Sequence, residues 1–522
     1  MTEKKRLLDG TTSAFFYSGI SSTLSSLALR SAAMTFNVYL SGIAGAGAMG
    51  LLSLIYSVWG FALTLGCVSG GFLSSRIYAS EVSLGGSTKK GSSMCLRFTF
   101  ICGGIIGASL FLLSDIISLY LLGDTRCALP LRMLSVSLPF ISASGSIEGY
   151  FNACTRSYKT AAMRLIEQVI RVSVTVSIFF FVGHKNDAEA CINIILGGVL
   201  TEILSFILLY ILYLYDRKAH FSKNDSHAVS SYKDLASLSI PLTLSTGIRS
   251  GLVSLEHVMI PKGLIANGTE YSKALSVFGT VHGMALPVVL FCYAVPSSFS
   301  ALLIPKIAEY NARKNKREIV YIAGRAYRLA LCFSLAVSAF ILLSSGLLGN
   351  ILYPGSDAGK YIYLLSPLIP IMYIDSVSDS FLKGLNRQAY SMRINIADSL
   401  ISLFCVVFLM PHMGITGYII AIYASEIFNT CMSLQKVMRI TGYSIPVLRA
   451  FVTPLICSVL SAKITGSLYS VGGGILESIF LFIIGILLFT ALYFLLLFSL
   501  KNITHDERKW VISLLKPARK EK

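Results

Sequence analysis

Charged residues are scarce in this sequence: Asp, Glu, Lys and Arg make up only 13% of its 522 residues. A soluble chain has roughly a quarter of its residues charged. Acidic residues are the scarcer sign, because 26 Asp and Glu stand against 44 Lys and Arg. This shortage of charge excludes an ordinary soluble globular protein.

Motifs of soluble catalysis are also missing. The sequence contains no GxxxxGK[ST], HExxH or GxSxG pattern and no polar stretch large enough to form a catalytic domain. Its eleven cysteines are scattered through apolar segments without a CxxC pair or a Cys/His cluster, so we interpret them as packing residues. We therefore expect no enzyme, no pump driven by its own ATPase, no metal site and no cofactor.

Apolar segments, by contrast, recur from one end of the chain to the other. Hydrophobic residues make up 54% of it, and the mean hydropathy is +0.70. Runs of about 20 residues are long enough to cross about 30 Å of hydrocarbon as helices, and they lack the alternation of an outer-membrane β-barrel. The first run follows Lys4, Lys5 and Arg6, carries Arg30 and exceeds a signal-peptide core, so we interpret it as the first span.

The pattern predicts an all-α polytopic membrane protein with about fourteen transmembrane helices. The predicted spans are residues 12–38, 48–76, 96–121, 129–154, 161–182, 190–215, 235–262, 275–305, 325–350, 360–383, 390–410, 414–437, 448–468 and 473–499.

Basic residues collect in the connectors that follow every second span, as they do in cytoplasmic loops. Examples are Arg76, Lys89, Arg156, Lys159, Arg217, Lys218, Lys306, Arg328, Lys383, Arg387, Arg439 and the tail from Lys501. This alternation predicts a multi-pass membrane protein with both termini in the cytoplasm. The net charge of +18 is then mainly a topology signal with some attraction to anionic lipid, and we expect no nucleic-acid partner.

The two halves of the chain resemble each other. The segments 147–171 and 378–401 align with an offset of 231 residues, which places Tyr150 on Phe381, Arg156 on Arg387 and Glu167 on Asp398. Similar offsets align Val58–Leu63 with Val281–Leu286, and Glu202 with Glu426. We interpret this as an internal duplication that gives two parallel six-helix repeats followed by a C-terminal helix pair.

The predicted organisation follows from the repeat and from the polar connectors. Residues 1–215 form an N-terminal six-helix lobe, 216–234 a cytoplasmic linker, 235–440 a C-terminal six-helix lobe, 441–500 the terminal helix pair and 501–522 a basic cytoplasmic tail.

Ionisable side chains inside the spans are the candidates for function, since an Arg or Asp at mid-bilayer costs at least about 2.5–3.5 kcal/mol. Arg30 and Arg249 each lie deep in the opening helix of a repeat. If those helices face each other across a cleft, two guanidinium groups line it, and their planar forks suit phosphate oxygens. We predict a substrate-binding set of Arg30, Arg249, Asn37, Glu256 and His257, in which Glu256 and His257 neutralise the empty site or carry a coupling proton.

A second set has either a structural or a coupling role, and the residue types leave both open. Glu167 and Arg171 are four residues apart, so they share a helix face and can pair. Glu202 and Glu426 occupy equivalent positions and can bond across neighbouring helices, while Asp398 lies toward a cytoplasmic end. Other ionisable residues within spans, without an assigned role, are Arg132, Glu148, His282, Asp375 and Asp379.

Three segments carry a family resemblance: the run from Gly45 to Phe61, the tetrapeptide Gly149-Tyr-Phe-Asn, and Ile166-Glu-Gln-Val-Ile-Arg171. They resemble the stage V sporulation protein B-like branch of the polysaccharide-biosynthesis membrane proteins. That branch belongs to the multidrug/oligosaccharidyl-lipid/polysaccharide (MOP) exporter superfamily and is related to MurJ-type lipid II flippases. The resemblance covers the whole chain.

The resemblance implies two lobes around a V-shaped cavity that opens alternately to each side of the membrane. It also implies that arginines of the cavity, here Arg30 and Arg249, hold the diphosphate of a polyprenyl-linked sugar. The terminal helix pair would form a groove for the lipid tail. This chain departs from the pattern at Asn37, where relatives often carry Arg, and at Gly45–Ala48, where they carry Gly-Ala-Glu-Gly.

The expected function is therefore a flippase for a lipid-linked oligosaccharide or peptidoglycan precursor, working by alternating access. Two alternatives stay open: a cation-coupled multidrug antiporter of the same superfamily, and a non-transporting membrane scaffold for cell-wall synthesis. Coupling to Na⁺, H⁺ or the membrane potential is open as well, as are the glycan and a link to sporulation. The expected partners are the lipid-linked glycan, membrane lipids and enzymes of cell-wall or polysaccharide synthesis, and a monomer suffices.

Overall fold

The computed structural model describes residues 2–83, 88–154, 156–220, 232–467 and 475–500. Within these ranges every regular element is helical, which confirms the predicted all-α class. The α-helices are α1 (Thr2–Ser83), α2 (Thr88–Ile116), α3 (Ala128–Ala153), α4 (Ser157–Val182), α5 (Asp187–His220), α6 (Tyr232–Ala266), α7 (Tyr271–Phe278), α8 (Leu286–Cys292), α9 (Ala294–Ala312), α10 (Lys316–Leu352), α11 (Ala358–Leu365), α12 (Leu368–Gly384), α13 (Gln388–Met413), α14 (Ile415–Thr441), α15 (Thr453–Gly466) and α16 (Ile475–Ser499). Wider π-helical turns occur at Ile117–Leu122, Gly279–Ala285 and Leu448–Val452.

Ten of the described helical segments are long and apolar enough to cross a membrane, or eleven if the bent pair α11 and α12 forms one span. Each predicted span coincides with a helical segment, but α6, α9 and α14 are not among those ten. In α6 the polar candidates Arg249, Glu256 and His257 themselves lower the hydropathy. The polytopic fold is confirmed, and the count of fourteen spans stays a prediction.

Glycines with positive φ mark the turns between helices in both repeats. A left-handed backbone at the end of a helix favours glycine because no Cβ clashes there. The glycines form three pairs separated by 223, 232 and 231 residues, namely Gly45 with Gly268, Gly123 with Gly355, and Gly183 with Gly414. Gly45, at φ 79°, breaks α1 between the first two predicted spans. The duplication seen in the sequence is therefore present in the backbone.

Each repeat has a short basic hinge between two helices, around Arg156 and Lys159 in the first and around Arg387 in the second, and the two hinges share the same backbone hydrogen bonds. In the first repeat, Arg156 N–H donates to Phe151 O at 2.8 Å, and Lys159 N–H donates to Arg156 O at 3.0 Å. The equivalent bonds of the second repeat, from Arg387 to Leu382 and from Tyr390 to Arg387, measure 2.7 and 3.0 Å. Both hinges thus close one helix and open the next in the same way.

The chain folds into two compact units. The first consists of Ala28–Met284 and Asn395–Ser425, and the second contains Ala285–Ile394 together with the chain from Glu426 on and the residues up to Leu27. The lobe boundaries predicted from the repeat stay a prediction. Residues 221–231 of the predicted linker and the whole predicted tail, 501–522, lie outside the described residues.

Each unit has an aromatic core around a residue of the helix that precedes its basic hinge. The two residues, Tyr150 and Phe381, are equivalent in the repeat. In the first unit Tyr150 is fully buried, with ring centroids 5.4 Å from Tyr78 and 5.0 Å from Tyr213. In the second unit Phe381 is fully buried and stacks 5.8 Å from Tyr327. The terminal pair α15 and α16 packs on α10 through a separate cluster of Cys457, Phe489, Tyr493 and Leu497.

Candidate functional site

Arg249 lies midway along α6 and is exposed. The helix also has an exposed apolar row, Ile240, Leu244 and Ile248, which is suited to lipid. Ser250, next to the arginine, accepts a 3.1 Å hydrogen bond from Thr64 of α1, so this part of α6 packs on α1. Arg249 is therefore an exposed cation on a helix whose neighbouring faces are apolar or packed.

Arg249 has a carboxylate partner in the same unit. Its charge acts on Asp398 of α13, which also has a side-chain hydrogen bond with Ser425 of α14. One carboxylate oxygen of Asp398 is buried with no hydrogen-bond partner among the described residues. The structure thus brings together two residues that were predicted in different sets. Asp398 lies within the electrostatic influence of Arg249, and one of its carboxylate oxygens makes no hydrogen bond to any described residue.

Arg30 is half-buried on α1, two turns before Asn37. Because a helix turns once every 3.6 residues, Arg30 and Asn37 lie on one face. Arg249 and Glu256 have the same spacing on α6. Each predicted binding arginine is thus followed, two turns later, by a polar residue on its own face. That the two arginines face each other across a cleft stays a prediction.

Asn37 and three aromatic side chains form a compact group, which we name the His282 cluster: Asn37, His257, His282 and Tyr418. Asn37 Nδ2 donates to the carbonyl of Gly283 at 2.7 Å. The rings of His257 and His282 are 4.5 Å apart, and His282 Nε2 lies 2.6 Å from the Tyr418 hydroxyl. Four helical segments meet here, and His282 lies in the π-helical turn Gly279–Ala285, a form often found at functional sites.

Glu256 lies beside this cluster and is buried, with 8% of its surface exposed. Its Oε1 accepts a 2.7 Å hydrogen bond from Ser402 of α13, and its charge acts on Tyr418 and is influenced by Asp398. A buried carboxyl group needs such partners because burying an unpaired charge is expensive.

Sequence reasoning singled out Asn37, Glu256 and His257 but missed two members of this group. His282 was noted only as an ionisable residue within a span, and its signal was its place in the segment that aligns with 58–63. Tyr418 gave no signal, because a lone Tyr is common in apolar helices. Only the packing of α14 against the π-helical turn makes it a partner.

The predicted pairing of Glu167 with Arg171 is present, at 2.9 Å. Arg171 also binds Glu202 of α5 at 2.7 Å, and Ser205 donates to the other oxygen of Glu167 at 3.3 Å. One guanidinium group therefore holds two carboxylates that come from two helices. Whether this group is structural or takes part in coupling stays a prediction.

Glu426 lies in the second unit, where its charge, with those of Asp375 and Asp379, acts on Tyr293. Asp379 pairs with Lys383 at 2.6 Å and accepts a hydrogen bond from Ser391. Glu426 and its repeat counterpart Glu202 therefore have different surroundings.

Asp216, at the end of α5, is a charged group that sequence reasoning did not single out. Its side chain is fully buried and binds two residues of the first basic hinge, Arg156 at 2.7 Å and Lys159, together with the hydroxyl of Tyr150 of α3 at 3.1 Å. The hinge is thereby fixed to α5, and it is not a free anion-binding surface.

A second polar group lies at the turn between α2 and α3. We name it the Asp124 cluster: Asp124, Arg126 and Tyr271. Asp124 accepts hydrogen bonds from Arg126 Nη2 at 2.6 Å and from the Tyr271 hydroxyl of α7 at 2.7 Å. Burial alone would raise the pKa of the Asp124 carboxyl group, but the bonds from Arg126 and Tyr271 outweigh it, so this pKa is below its ordinary value.

The described residues contain no group of three or more His, Cys, Asp or Glu side chains placed to hold a metal ion.

Comparison with known proteins identifies several relatives. The MatE family model matches residues 280–408, about a quarter of the chain. Stage V sporulation protein B of Bacillus subtilis (strain 168) is 25% identical over 401 residues, which cover 74% of this chain and 77% of that protein. Lipid II flippase MurJ of the same organism is 23% identical over 346 residues, 61% of each chain.

Solved structures share the fold. A lipid II flippase MurJ in an inward closed conformation superposes with a TM-score of 0.70 at 14% identity, covering 92% of this chain and 99% of the other. An inward-facing multidrug resistance MATE family transporter of the MOP superfamily gives 0.62 at 12% identity, covering 81% and 98%. The resemblance predicted from the sequence is thus confirmed: the chain is similar to stage V sporulation protein B and to a lipid II flippase, and it shares the fold of the MurJ and MATE structures.

Proposed function

We propose that this protein, which has the fold of the MOP exporters, is a flippase for a polyprenyl-diphosphate-linked oligosaccharide or peptidoglycan precursor. It moves the sugar head across the bacterial cytoplasmic membrane by alternating access. Arg30 and Arg249 bind the diphosphate, and Asn37, Glu256 and His257 complete the site.

The exposed position of Arg249 supports this proposal most directly. With α6 crossing the membrane as predicted, Arg249 lies near mid-bilayer, where contact with lipid costs at least about 2.5–3.5 kcal/mol. The exposed apolar row Ile240, Leu244 and Ile248 provides the face of α6 that contacts lipid, so Arg249 is not needed there. Arg249 therefore faces a water-filled space, and in such a space a guanidinium group is suited to a diphosphate.

The unused hydrogen-bonding capacity of Asp398 also fits a transport site. When the site is empty, Asp398 compensates Arg249 electrostatically. When a diphosphate binds, it takes the place of Asp398 as the anion beside Arg249. The Asp398 carboxylate can then take up a proton or a cation, so neither group is left with an uncompensated charge. Each negative charge that crosses the membrane field is worth about 2.3 kcal/mol per 100 mV, enough for the potential to drive one half of the cycle.

A multidrug antiporter is the second candidate, and two observations favour it. Glu256 and Asp398 are two carboxyl groups in one unit that influence each other, as a cation site would require. The MatE family model also matches the segment that contains His282 and Asp398. The full-length similarity to a MurJ structure, at the higher TM-score, favours the flippase.

The test is translocation of a fluorescent polyprenyl-diphosphate oligosaccharide in proteoliposomes. The variant carrying both Arg30→Ala and Arg249→Ala should lose flipping. The control variant, Arg313→Ala, removes an exposed arginine at the α9–α10 turn and should flip at the normal rate. Undiminished flipping in the double variant would contradict the site. Normal protein that fails to flip the lipid but expels a cationic dye would establish the antiporter instead, and inactivity in both assays would favour a scaffold.

A further inference from the structure

His257 and His282 form a pair of imidazoles in direct contact inside the first unit. Their ring centroids are 4.5 Å apart with the ring planes at 66°, and Phe278 packs 4.5 Å from His282. His282 is joined to Tyr418 through Nε2 at 2.6 Å. In the neutral pair one ring nitrogen of each imidazole can accept a proton.

The titratable and charged groups around the pair come from each element packed on it. Helix α6 supplies Glu256, the residue before His257, and α14 supplies Tyr418. Helix α13 supplies Ser402, bound to Glu256 at 2.7 Å, and Asp398, whose charge reaches Glu256. Helix α1 supplies the neutral Asn37. Among these groups, the hydroxyl of Tyr418 makes the hydrogen bond to the pair, and the charge of Glu256 also acts on Tyr418.

We propose that the His257–His282 pair is the proton-binding site that couples transport to the proton gradient, with Tyr418 linking it to Glu256. The inference rests on the proposed function and names its coupling ion. A hydronium ion gives its proton to Nε2 of His282 in the pair, so one N–H bond forms, one O–H bond breaks and a water molecule is left. His282 Nε2 then becomes a donor to Tyr418, whose own hydroxyl hydrogen turns toward the carboxyl side.

The location of the pair sets the side from which the proton enters. Asn37, His257, His282 and Tyr418 all lie within two turns of the ends of their predicted spans that face away from the basic connectors. The positive-inside pattern makes that the outer side of the cytoplasmic membrane. Protons therefore reach the pair from outside, where respiring bacteria keep the higher proton activity.

Solvation determines which conformation the bound proton favours. In the described structure the pair is enclosed by four helical segments and has no carboxylate in hydrogen-bond contact, so it is neutral there. An imidazolium ion is better solvated when the outer end opens to water. Proton binding thus stabilises the outward-open form, and the shift reaches the binding face of α1 through the bond from Asn37 to Gly283.

The first test measures flipping of the fluorescent polyprenyl-diphosphate oligosaccharide in proteoliposomes with an imposed pH difference. One proton per cycle should change the final distribution about tenfold per pH unit. The variant His282→Gln, which leaves His257 of the binding set in place, should flip without responding to the pH difference, and Tyr418→Phe should reduce the response. The matched control His184→Gln/His412→Gln removes two exposed histidines and should respond normally. A normal response in His282→Gln, or a response to Na⁺ alone, overturns the inference.

A second test needs no substrate, so it separates this inference from the proposed function. Amide hydrogen exchange of the α6–α7 turn, residues 264–272, is followed by mass spectrometry at pH 7.5 and 5.5, corrected for the intrinsic rates. Protection should fall about tenfold at the lower pH in the normal protein and in the His184/His412 control, the factor that a population shift of about 1.4 kcal/mol gives. It should not change in the His257→Gln/His282→Gln variant. Equal changes in all three proteins overturn the proton site even if flipping is observed, whereas the expected pattern without flipping contradicts only the proposed substrate.

Discussion

Tyr271 donates a 2.7 Å hydrogen bond to Asp124, which joins the first turn of α7 to the connection between α2 and α3. In the repeat assigned from the sequence, Asp124 belongs to the N-terminal lobe and Tyr271 to the C-terminal lobe. The bond therefore links the two repeats at the ends that the charge pattern places outside. In the alternating-access cycle that we propose, this bond breaks when the outer end opens.

Removing the Tyr271 hydroxyl should weaken this link. Tyr271→Phe deletes one hydrogen bond to a charged, buried group, for which about 1.5–3 kcal/mol is typical. We expect a lower melting temperature in detergent and faster hydrogen exchange at the α6–α7 turn. Tyr363→Phe, which removes an exposed hydroxyl of α11, is the control and should change neither. Unchanged exchange in Tyr271→Phe would show that the bond does not hold the outer end.

Lowering the pH should remove the contribution of Asp124 to the stability of the folded protein. The pKa of Asp124 is below its ordinary value of 3.8 in the folded protein. A carboxyl group with a lowered folded pKa stabilises the fold above its unfolded pKa and loses that contribution as the pH falls through the folded value. Between pH 7 and pH 3, the normal protein should therefore lose more stability than Asp124→Asn, which lacks the titrating group. Identical melting profiles for the two proteins would contradict this.

Asp216 should matter more to stability than its place at a helix end suggests. Asp216→Asn leaves Arg156 and Lys159 facing a neutral group in a buried site, and breaking a buried pair in this way costs about 3–5 kcal/mol. The control is Asp115→Asn, because Asp115 also pairs with an arginine but its side chain is 63% exposed. That exposed pair should contribute about 0–1 kcal/mol. Equal melting temperatures for the two variants would contradict the prediction.

Arg171 and its two carboxylates should show non-additive effects. Arg171→Met strands both Glu167 and Glu202, whereas Glu167→Gln leaves the 2.7 Å bond from Arg171 to Glu202 in place. Because the three side chains are only partly buried, we expect Arg171→Met to destabilise the protein by about 1.5–3 kcal/mol and Glu167→Gln by less than half as much. The double variant should be less destabilised than the sum of the two, because the substitutions share one interaction. Additive melting shifts would show that the three residues act independently.

Gly279 should not tolerate a side chain. A Cβ there would lie 2.1 Å from the carbonyl oxygen of Ala46 and 2.5 Å from the backbone nitrogen of Gly50, so one backbone would have to move. Gly279→Ala should destabilise the protein by about 1–3 kcal/mol, the usual cost of overpacking. Gly104→Ala is the matched control, since nothing lies within 4 Å of its Cβ position. The check is the melting temperature of both variants, and equal values would contradict the close approach of α1 and the π-helical turn.

The sequence by itself determined the fold class, because long apolar segments with few charges can satisfy their backbone in lipid only as helices. It also determined the duplication: the alignment of the two halves places Tyr150 on Phe381, and both residues are buried in the aromatic core of their unit. The glycine pairs at the turns, such as Gly183 and Gly414, preserve the same spacing. Such features are local or periodic, so they can be recognised without knowing which helices touch.

The tertiary structure alone decided which polar residues meet. Spacing along α4 predicted the pair of Glu167 and Arg171, but nothing in the sequence placed Glu202 on the same guanidinium group. In the same way, His282 and Tyr418 are 136 residues apart and became partners only when their helices packed together. Periodicity fixes the face on which a side chain lies, whereas its partner depends on which helices become neighbours, and that choice is made by packing over the whole unit.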